Sequence, residues 1–231
     1  MTPAGVSDAL VAAVRDAVAQ GELDVAVPED VTVFSVGAGV FESPVALRLG
    51  VDPQVIARRV GGAVSGRGFV RVEVAVEALV DGVLREPGFG VARVPGGGWS
   101  EWPRTFANPG FSVRYAYARA CWVGRWARDV GVSRGVFRGG APEELGLVTA
   151  LGDVPGRAAQ AERERDAGPL VLCLERVAGA YHDVHERCPA LPRGDEKPGA
   201  VHAGRVSLAE AARIALGNGL NMIGETPRER I

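Results

Sequence analysis

Aromatic and arginine side chains recur in the segment 108–128 of this 231-residue chain. Tyr115 and Arg119 are four residues apart, so a helix would carry both on one face. Unpaired RNA bases stack on aromatic rings and on guanidinium planes. Such a pair suits a surface for single-stranded RNA. The pattern alone favours the other interpretation, a core tyrosine beside a surface arginine.

Positive charge is concentrated in the same part of the chain. Residues 104–138 contain seven arginines and one acidic residue, Asp129. Arg114, Arg125 and Arg128 fall on one side of a helix, and a basic stripe beside aromatic rings is typical of contacts to RNA phosphates. We predict that Arg125 and Arg128 bind phosphates. A solvated helix face in an arginine-rich chain is the alternative.

The net charge of −2 hides this concentration. Residues 1–103 carry 8 arginines against 13 acidic residues, whereas residues 104–231 carry 18 basic against 15 acidic residues. The hydrophobic content of 47% is enough for a packed core. No apolar run is long enough to cross a bilayer, and three scattered cysteines suit a reducing compartment. We therefore expect a cytoplasmic protein with no membrane partner.

Other patterns that could carry chemistry are incomplete. His182, His185 and Cys188 recur every three residues, but no second cluster of ligands completes the four that zinc prefers. The glycine-rich segment 61–68 lacks the Lys-Ser/Thr pair of a phosphate-binding loop. No serine lies in a nucleophile elbow. We therefore expect no metal, no cofactor and no catalytic residues.

The elements that position these residues follow from hydrophobic periodicity and turn residues. Residues 1–86 predict a small α+β module, with helices over 7–20, 44–49, 53–60 and 76–84 and strands over 31–36 and 69–74. Residues 87–103 are rich in proline and glycine and predict a flexible interdomain linker. Residues 104–231 predict an all-α bundle of about five helices, over 110–130, 142–151, 155–166, 168–188 and 206–223.

Three blocks of the second half occur in a fixed order. Residues 108–119 have the sequence NPGFSVRYAYAR, residues 174–182 have LERVAGAYH with Cys188 beyond them, and the segment from Arg205 ends in PRERI. In this order the blocks resemble the anticodon-binding (DALR) domain of arginyl-tRNA synthetases, whose opening helix typically has the sequence NPVYYVQYAHAR. The resemblance implies contacts to the tRNA anticodon at Phe111, Ser112, Arg114, Tyr115, Arg119 and Ile231.

Two blocks of the first half are similar to the additional N-terminal domain of the same family. They are GVFESPVAL over residues 39–47 and GRGFVR over residues 66–71. In the family this domain reaches the elbow of the tRNA, which implies D-loop contacts at Phe69 and Arg71. Arg71 stands where the family has an asparagine.

The catalytic signatures of that family are absent from this chain. No His-x-Gly-His or Lys-Met-Ser-Lys sequence occurs, and the sole lysine, Lys197, lies in EKPG. The 17-residue linker stands where the catalytic domain would be. We expect a non-catalytic protein that binds tRNA, with an arginine tRNA favoured and a catalytic or tailoring enzyme as a further partner. Two alternatives stay open: a protein-interaction module that kept the fold, or an accessory subunit of a split arginine-tRNA ligase.

Overall fold

The computed structural model describes residues 1–231. Its first part contains four helices and four short strands. The helices are α1 (Pro3–Ala19), α2 (Val45–Leu49), α3 (Pro53–Arg59) and α4 (Val76–Arg85), and the strands are β1 (Phe34–Gly37), β2 (Val40–Ser43), β3 (Ala63–Val64) and β4 (Val70–Glu73). The strands form one antiparallel sheet in the order β1-β2-β4-β3. Phe41 and Val70 lie fully buried on its inner face.

The second part is a bundle of four long helices. They are α5 (Pro109–Asp129), α6 (Pro142–Glu164), α7 (Gly168–Arg187) and α8 (Ala200–Met222). The predicted fold class, an α+β module followed by an all-α bundle, is therefore confirmed. No helix combines the length and the apolarity needed to cross a membrane.

The start of α5 is fixed by a side-chain cap. Asn108 accepts a hydrogen bond from the backbone N–H of Gly110 at 3.0 Å, and Pro109 occupies the first helical position, where its missing N–H costs nothing. The same Asn108 amide donates to the carbonyl groups of Ser100 at 2.9 Å and Pro103 at 3.1 Å. The cap thus also holds the segment that precedes the helix.

The prediction of a helix break near residue 152 is wrong, because α6 continues through Pro155. A proline inside a helix removes one backbone hydrogen bond and costs about 3 kcal/mol. Leu151 and Val154, immediately before the proline, are both buried. Tertiary packing of this apolar face outweighs the local penalty, so the bundle has four helices and not five.

Other boundaries also differ from those predicted. Helix α8 begins at Ala200 and not at residue 206, because Nδ1 of His202 accepts a hydrogen bond from the backbone N–H of Gly199 at 3.2 Å. The first helix begins at Pro3 rather than Ser7. Strands β2 and β3 were not predicted, since β3 has only two residues and β2, with the sequence VFES, does not alternate apolar and polar residues.

The segment 87–103 is not a free linker. Phe89 is fully buried, and the side-chain amide of Asn218 donates to the carbonyl groups of Pro87 at 2.9 Å and Phe89 at 3.0 Å. The backbone N–H of Gly97 donates to the carbonyl of Ile223 at 3.0 Å. The predicted flexibility is therefore wrong, because Phe89 is buried and three hydrogen bonds, to Asn218 and Ile223, hold the backbone of the segment against the bundle. The domain bounds themselves stay a prediction.

A single hydrophobic cluster runs through both parts of the chain. Strand β1 lies against α6, where the Ser35 hydroxyl donates to the carbonyl of Thr149 at 3.0 Å. Gly152 permits this contact, since a Cβ there would lie 3.2 Å from the ring of Phe41. The sheet and the bundle therefore share a packed interface.

Candidate nucleic-acid interface

Five aromatic side chains form a continuous surface along α5, which we call the aromatic platform. Its members are Phe106, Phe111, Tyr115, Trp122 and Trp126. The rings of Phe111 and Tyr115 are stacked, with centroids 5.6 Å apart and planes inclined by 12°. The ring of Phe106 meets Tyr115 edge-on at 5.6 Å. Phe106 is 57% exposed and Trp126 49% exposed, so the platform is open to a ligand at both ends.

The periodicity of α5 places the platform on one face. Phe111, Tyr115, Trp122 and Trp126 follow at intervals of four, seven and four residues, which is helical spacing. The opposite face carries small and branched residues that are buried in the core: Val113, Ala116, Ala120, Val123 and Ala127. Burial of this second face leaves the aromatic face outward.

Arg119 lies on the platform and is held there from two sides. Its guanidinium carbon is 4.6 Å from the ring centre of Tyr115, within the range of a cation–π contact. Its Nη1 donates to Nδ1 of His182 at 3.3 Å, and Nε2 of His182 donates to the carbonyl of Ser112 at 3.1 Å. Glu186 lies 3.5 Å from Nη1. Only 16% of the Arg119 side chain is exposed, so its orientation is fixed before any ligand binds.

The two contacts of His182 define its protonation state. Nδ1 has to accept from Arg119 while Nε2 donates to Ser112, which is the neutral tautomer with the proton on Nε2. Burial lowers the pKa of His182 most; the hydrogen bond to Ser112 raises this pKa in part, and the charge of Arg119 lowers it again. A protonated ring would place an N–H against the guanidinium. His182 is therefore neutral when Arg119 is in place.

The C-terminal tail, residues 224–231, runs along α5 from Arg114 to Arg125. Nε and Nη2 of Arg114 donate to the two carboxylate oxygens of Glu225 at 2.7 and 2.6 Å. Nη2 of Arg114 also donates to the carbonyl of Trp99 at 3.3 Å. The Arg114 and Glu225 side chains are only 20% and 18% exposed. Arg114, a predicted anticodon contact, thus already has a full set of protein partners.

Arg125 and Arg128 differ in their surroundings. Arg125 pairs with Glu229 of the tail, whereas Arg128 is exposed and forms no ion pair. Both line a pocket of about 680 Å³ at the end of α5 to which Arg134 and Arg213 contribute. The bidentate pair of Arg213 with Glu210 neutralises Arg213. The free positive charge of this pocket therefore belongs to Arg128 and Arg134.

A second pocket lies where the tail meets α5. Its volume is about 450 Å³, and Phe111 and Ile231 are its apolar lining residues. Four arginines surround them: Arg104, Arg114, Arg228 and Arg230. Ile231 is 42% exposed. The structure thus brings the two ends of the predicted anticodon site, Phe111 and Ile231, to one pocket.

The predicted D-loop contacts lie in the N-terminal module, apart from the platform. Phe69 is half-buried just before β4. Arg71, on β4, donates from Nε at 3.0 Å and from Nη2 at 2.6 Å to one carboxylate oxygen of Glu42 on β2. The Arg71 side chain remains 43% exposed. This pair neutralises the charge of Arg71 but leaves its guanidinium face open.

Three members of the predicted anticodon site come together at the platform: Phe111, Tyr115 and Arg119. Ser112 contributes its backbone carbonyl, which accepts a hydrogen bond from His182. Phe106 could not be predicted from periodicity, because it lies before the first residue of the helix. The contact of His182 with Arg119 was not predicted either, because the spacing of His182, His185 and Cys188 suggests only a metal site. No group of three His, Cys, Asp or Glu residues suited to a metal occurs in the structure.

Comparison with known proteins places these residues in context. The family model for the DALR anticodon binding domain matches residues 113–231. The chain is 39% identical over 134 residues to the arginine–tRNA ligase of Clavibacter sepedonicus, covering 55% of this chain and 24% of that protein. It is 33% identical over 133 residues to the arginine–tRNA ligase of Frankia alni, with coverages of 55% and 24%. The resemblance of the second half to this family is thereby confirmed.

The chain spans 24% of the length of these curated relatives. Among solved structures, the arginyl-tRNA synthetase of Thermus thermophilus matches with a TM-score of 0.43 and 22% identity. The match covers 55% of this chain and 22% of the synthetase. The similarity to arginine–tRNA ligases is therefore a similarity to one part of those proteins.

Proposed function

Because the chain belongs to the DALR anticodon-binding domain family, we propose that it binds tRNA through the anticodon loop and does not charge it. The tRNA favoured is an arginine tRNA, since the matched relatives are arginine–tRNA ligases. The observation that carries the proposal is the aromatic platform with Arg119 fixed on Tyr115. Splayed loop bases stack on such aromatic and guanidinium planes.

The platform suits unpaired bases rather than a duplex. Its exposed rings, Phe106 and Trp126, stand at either end of the row, which allows successive bases to stack along α5. Each stacked base contributes about 1–3 kcal/mol. The exposed Arg128 supplies a phosphate contact beside the rings. Phe69 and Arg71 extend the interface to the tRNA elbow.

The absence of catalysis is proposed from the chemistry that arginine activation needs. Adenylate formation requires preorganised cationic and hydrogen-bonding groups around a pentavalent phosphate. In the family these come from the His-x-Gly-His and Lys-Met-Ser-Lys signatures, and neither occurs in this chain. The sole lysine, Lys197, is exposed in the connection between α7 and α8.

The test is a titration of the protein with labelled tRNA transcripts. An arginine tRNA, a set of non-arginine tRNAs and an arginine tRNA with an altered anticodon are compared at two salt concentrations. We expect the arginine tRNA to bind most tightly and the altered anticodon to weaken it. Equal and weak binding of every transcript would contradict the proposal and favour a protein-interaction module. Sequencing the RNA that co-purifies with the protein identifies the cellular ligand independently.

A further inference from the structure

The C-terminal tail carries charges of both signs, and the two signs have different surroundings. Its glutamates face α5. Glu225 forms the bidentate pair with Arg114 at 2.6 and 2.7 Å. Glu229 pairs with Arg125, and its carbonyl accepts a hydrogen bond from Nε1 of Trp122 at 3.0 Å. The acidic residues are therefore the anchors of the tail.

The arginines of the tail are oriented differently. Arg228 and Arg230 are exposed, and neither forms an ion pair. Both border the 450 Å³ pocket that Phe111 and Ile231 line. The tail thus neutralises two arginines of α5 and places two unpaired arginines of its own at the edge of the aromatic platform.

Whether an arginine is available to bind an anion depends on whether a carboxylate already neutralises it. A guanidinium that already donates two hydrogen bonds to one carboxylate has to break a charge-assisted pair before it binds a phosphate. Arg114 is in this state, and Arg125 is paired with Glu229. Arg104, also at the pocket, pairs with Glu101 at 2.6 Å. Of the four arginines around the pocket, Arg228 and Arg230 alone are free of such a pair.

We propose that Arg228 and Arg230 bind the phosphates of the RNA whose bases stack on the platform. Arg114 and Arg125 then act as positioning residues that hold the tail by its glutamates. This inference rests on the proposed function, and it adds phosphate contacts on the tail to the one that Arg128 supplies from the helix. The ligand is the backbone of single-stranded RNA, which a sequence-independent row of cations recognises.

The test measures how the affinity for an arginine tRNA transcript depends on salt between about 50 and about 300 mM. Each lost phosphate contact on single-stranded RNA reduces the slope of log K against log salt by about 0.7. We expect Arg228→Gln and Arg230→Gln to reduce the slope by about 0.7 each and the double variant by about 1.4. Arg163→Gln, which removes a charge on α6, should leave the slope close to that of the unmodified protein.

The matched control is Arg163→Gln on α6, which removes an exposed and unpaired arginine outside the platform. Thermal unfolding checks that each variant keeps the fold. An unchanged slope in the double tail variant, or an equal reduction in Arg163→Gln, would overturn the inference while the proposed function stands. If the unmodified protein binds no tRNA at all, the proposed function fails, and the inference fails with it.

Discussion

The guanidinium carbon of Arg119 lies 4.6 Å from the ring centre of Tyr115, one helical turn earlier on α5. The ring of Tyr115 also stacks on Phe111 at 5.6 Å. Tyr115 thus contacts both Arg119 and Phe111. Its replacement by alanine removes both contacts and leaves the buried face of the helix unchanged.

We expect Tyr115→Ala to weaken binding of an arginine tRNA by about 1–3 kcal/mol, the usual loss for one stacked base. Tyr115→Phe is the control, since it keeps the ring and removes only the hydroxyl. The measurement is a titration of labelled transcript, with circular dichroism to establish that both variants are folded. Equal affinity of the alanine and phenylalanine variants would show that no base stacks at this position.

The stability of the protein should depend on pH through His182. Its pKa is lowered in the folded state, mainly by burial, so the unfolded chain takes up the proton first as the pH falls. The contribution of neutral His182 is complete above the ordinary pKa of about 6.5 and is lost as the pH falls from there through the folded value. Protonation would also place an N–H against Arg119.

The measurement is urea unfolding of the unmodified protein and of His182→Gln at about pH 7.5 and about pH 5.5. Glutamine has both an acceptor for Arg119 and a donor for Ser112 but does not titrate. We expect the free energy of unfolding to fall more steeply with acid in the unmodified protein. The pKa of His185 is also lowered, but His185 is present in both proteins. Parallel curves would therefore argue against a neutral, buried His182.

Phe89 should stabilise the packing of the α+β module against the helical bundle. It is fully buried within the segment 87–103, and removing a buried phenylalanine ring costs about 3–5 kcal/mol. We expect Phe89→Ala to lower the free energy of unfolding by this amount. Val91→Ala, two residues away and 60% exposed, should change it by less than about 0.5 kcal/mol.

Limited proteolysis checks the same point in the unmodified protein. We expect the segment 87–103 to resist cleavage, because its backbone is hydrogen-bonded to Asn218 of α8 and the ring of Phe89 is buried. Phe89→Ala should expose it to the protease. Rapid cutting of the unmodified protein between residues 87 and 103 would show that the segment is free in solution.

The protein should show no arginine-dependent exchange between ATP and pyrophosphate. The groups that would stabilise that transition state are absent from its sequence. A complete arginyl-tRNA synthetase serves as the positive control in the same assay. Exchange that co-elutes with the purified protein, and not with traces of a host synthetase, would contradict the proposal of a non-catalytic chain.

The bundle could be predicted from local signals. Asn108 followed by Pro109 marks the start of α5, and the four-residue spacing of Tyr115 and Arg119 correctly places them together. Pro155 misled the prediction, since a proline is a strong local break signal. Packing on both sides of α6 overrides it, and that packing involves residues distant in sequence.

The partners of the arginines could not be predicted. Arg114 and Glu225 are 111 residues apart, and no periodicity links a helix to a terminal tail. Composition alone makes all arginines of α5 equivalent, whereas the fold gives Arg125 a carboxylate and leaves Arg128 without one. The tertiary structure therefore determines which arginines lack a carboxylate partner.

The attachment of the segment 87–103 to α8 has a consequence for the RNA that the chain can bind. Phe89 and Asn218 join the module to the bundle. The surface around Phe69 and the surface around Tyr115 are therefore held at a fixed distance from each other. An RNA that touches both has to match that span. An isolated anticodon stem-loop would reach only the surface around Tyr115 and would lack the contact at Phe69. The chain would therefore bind an intact, L-shaped tRNA more tightly than an anticodon stem-loop.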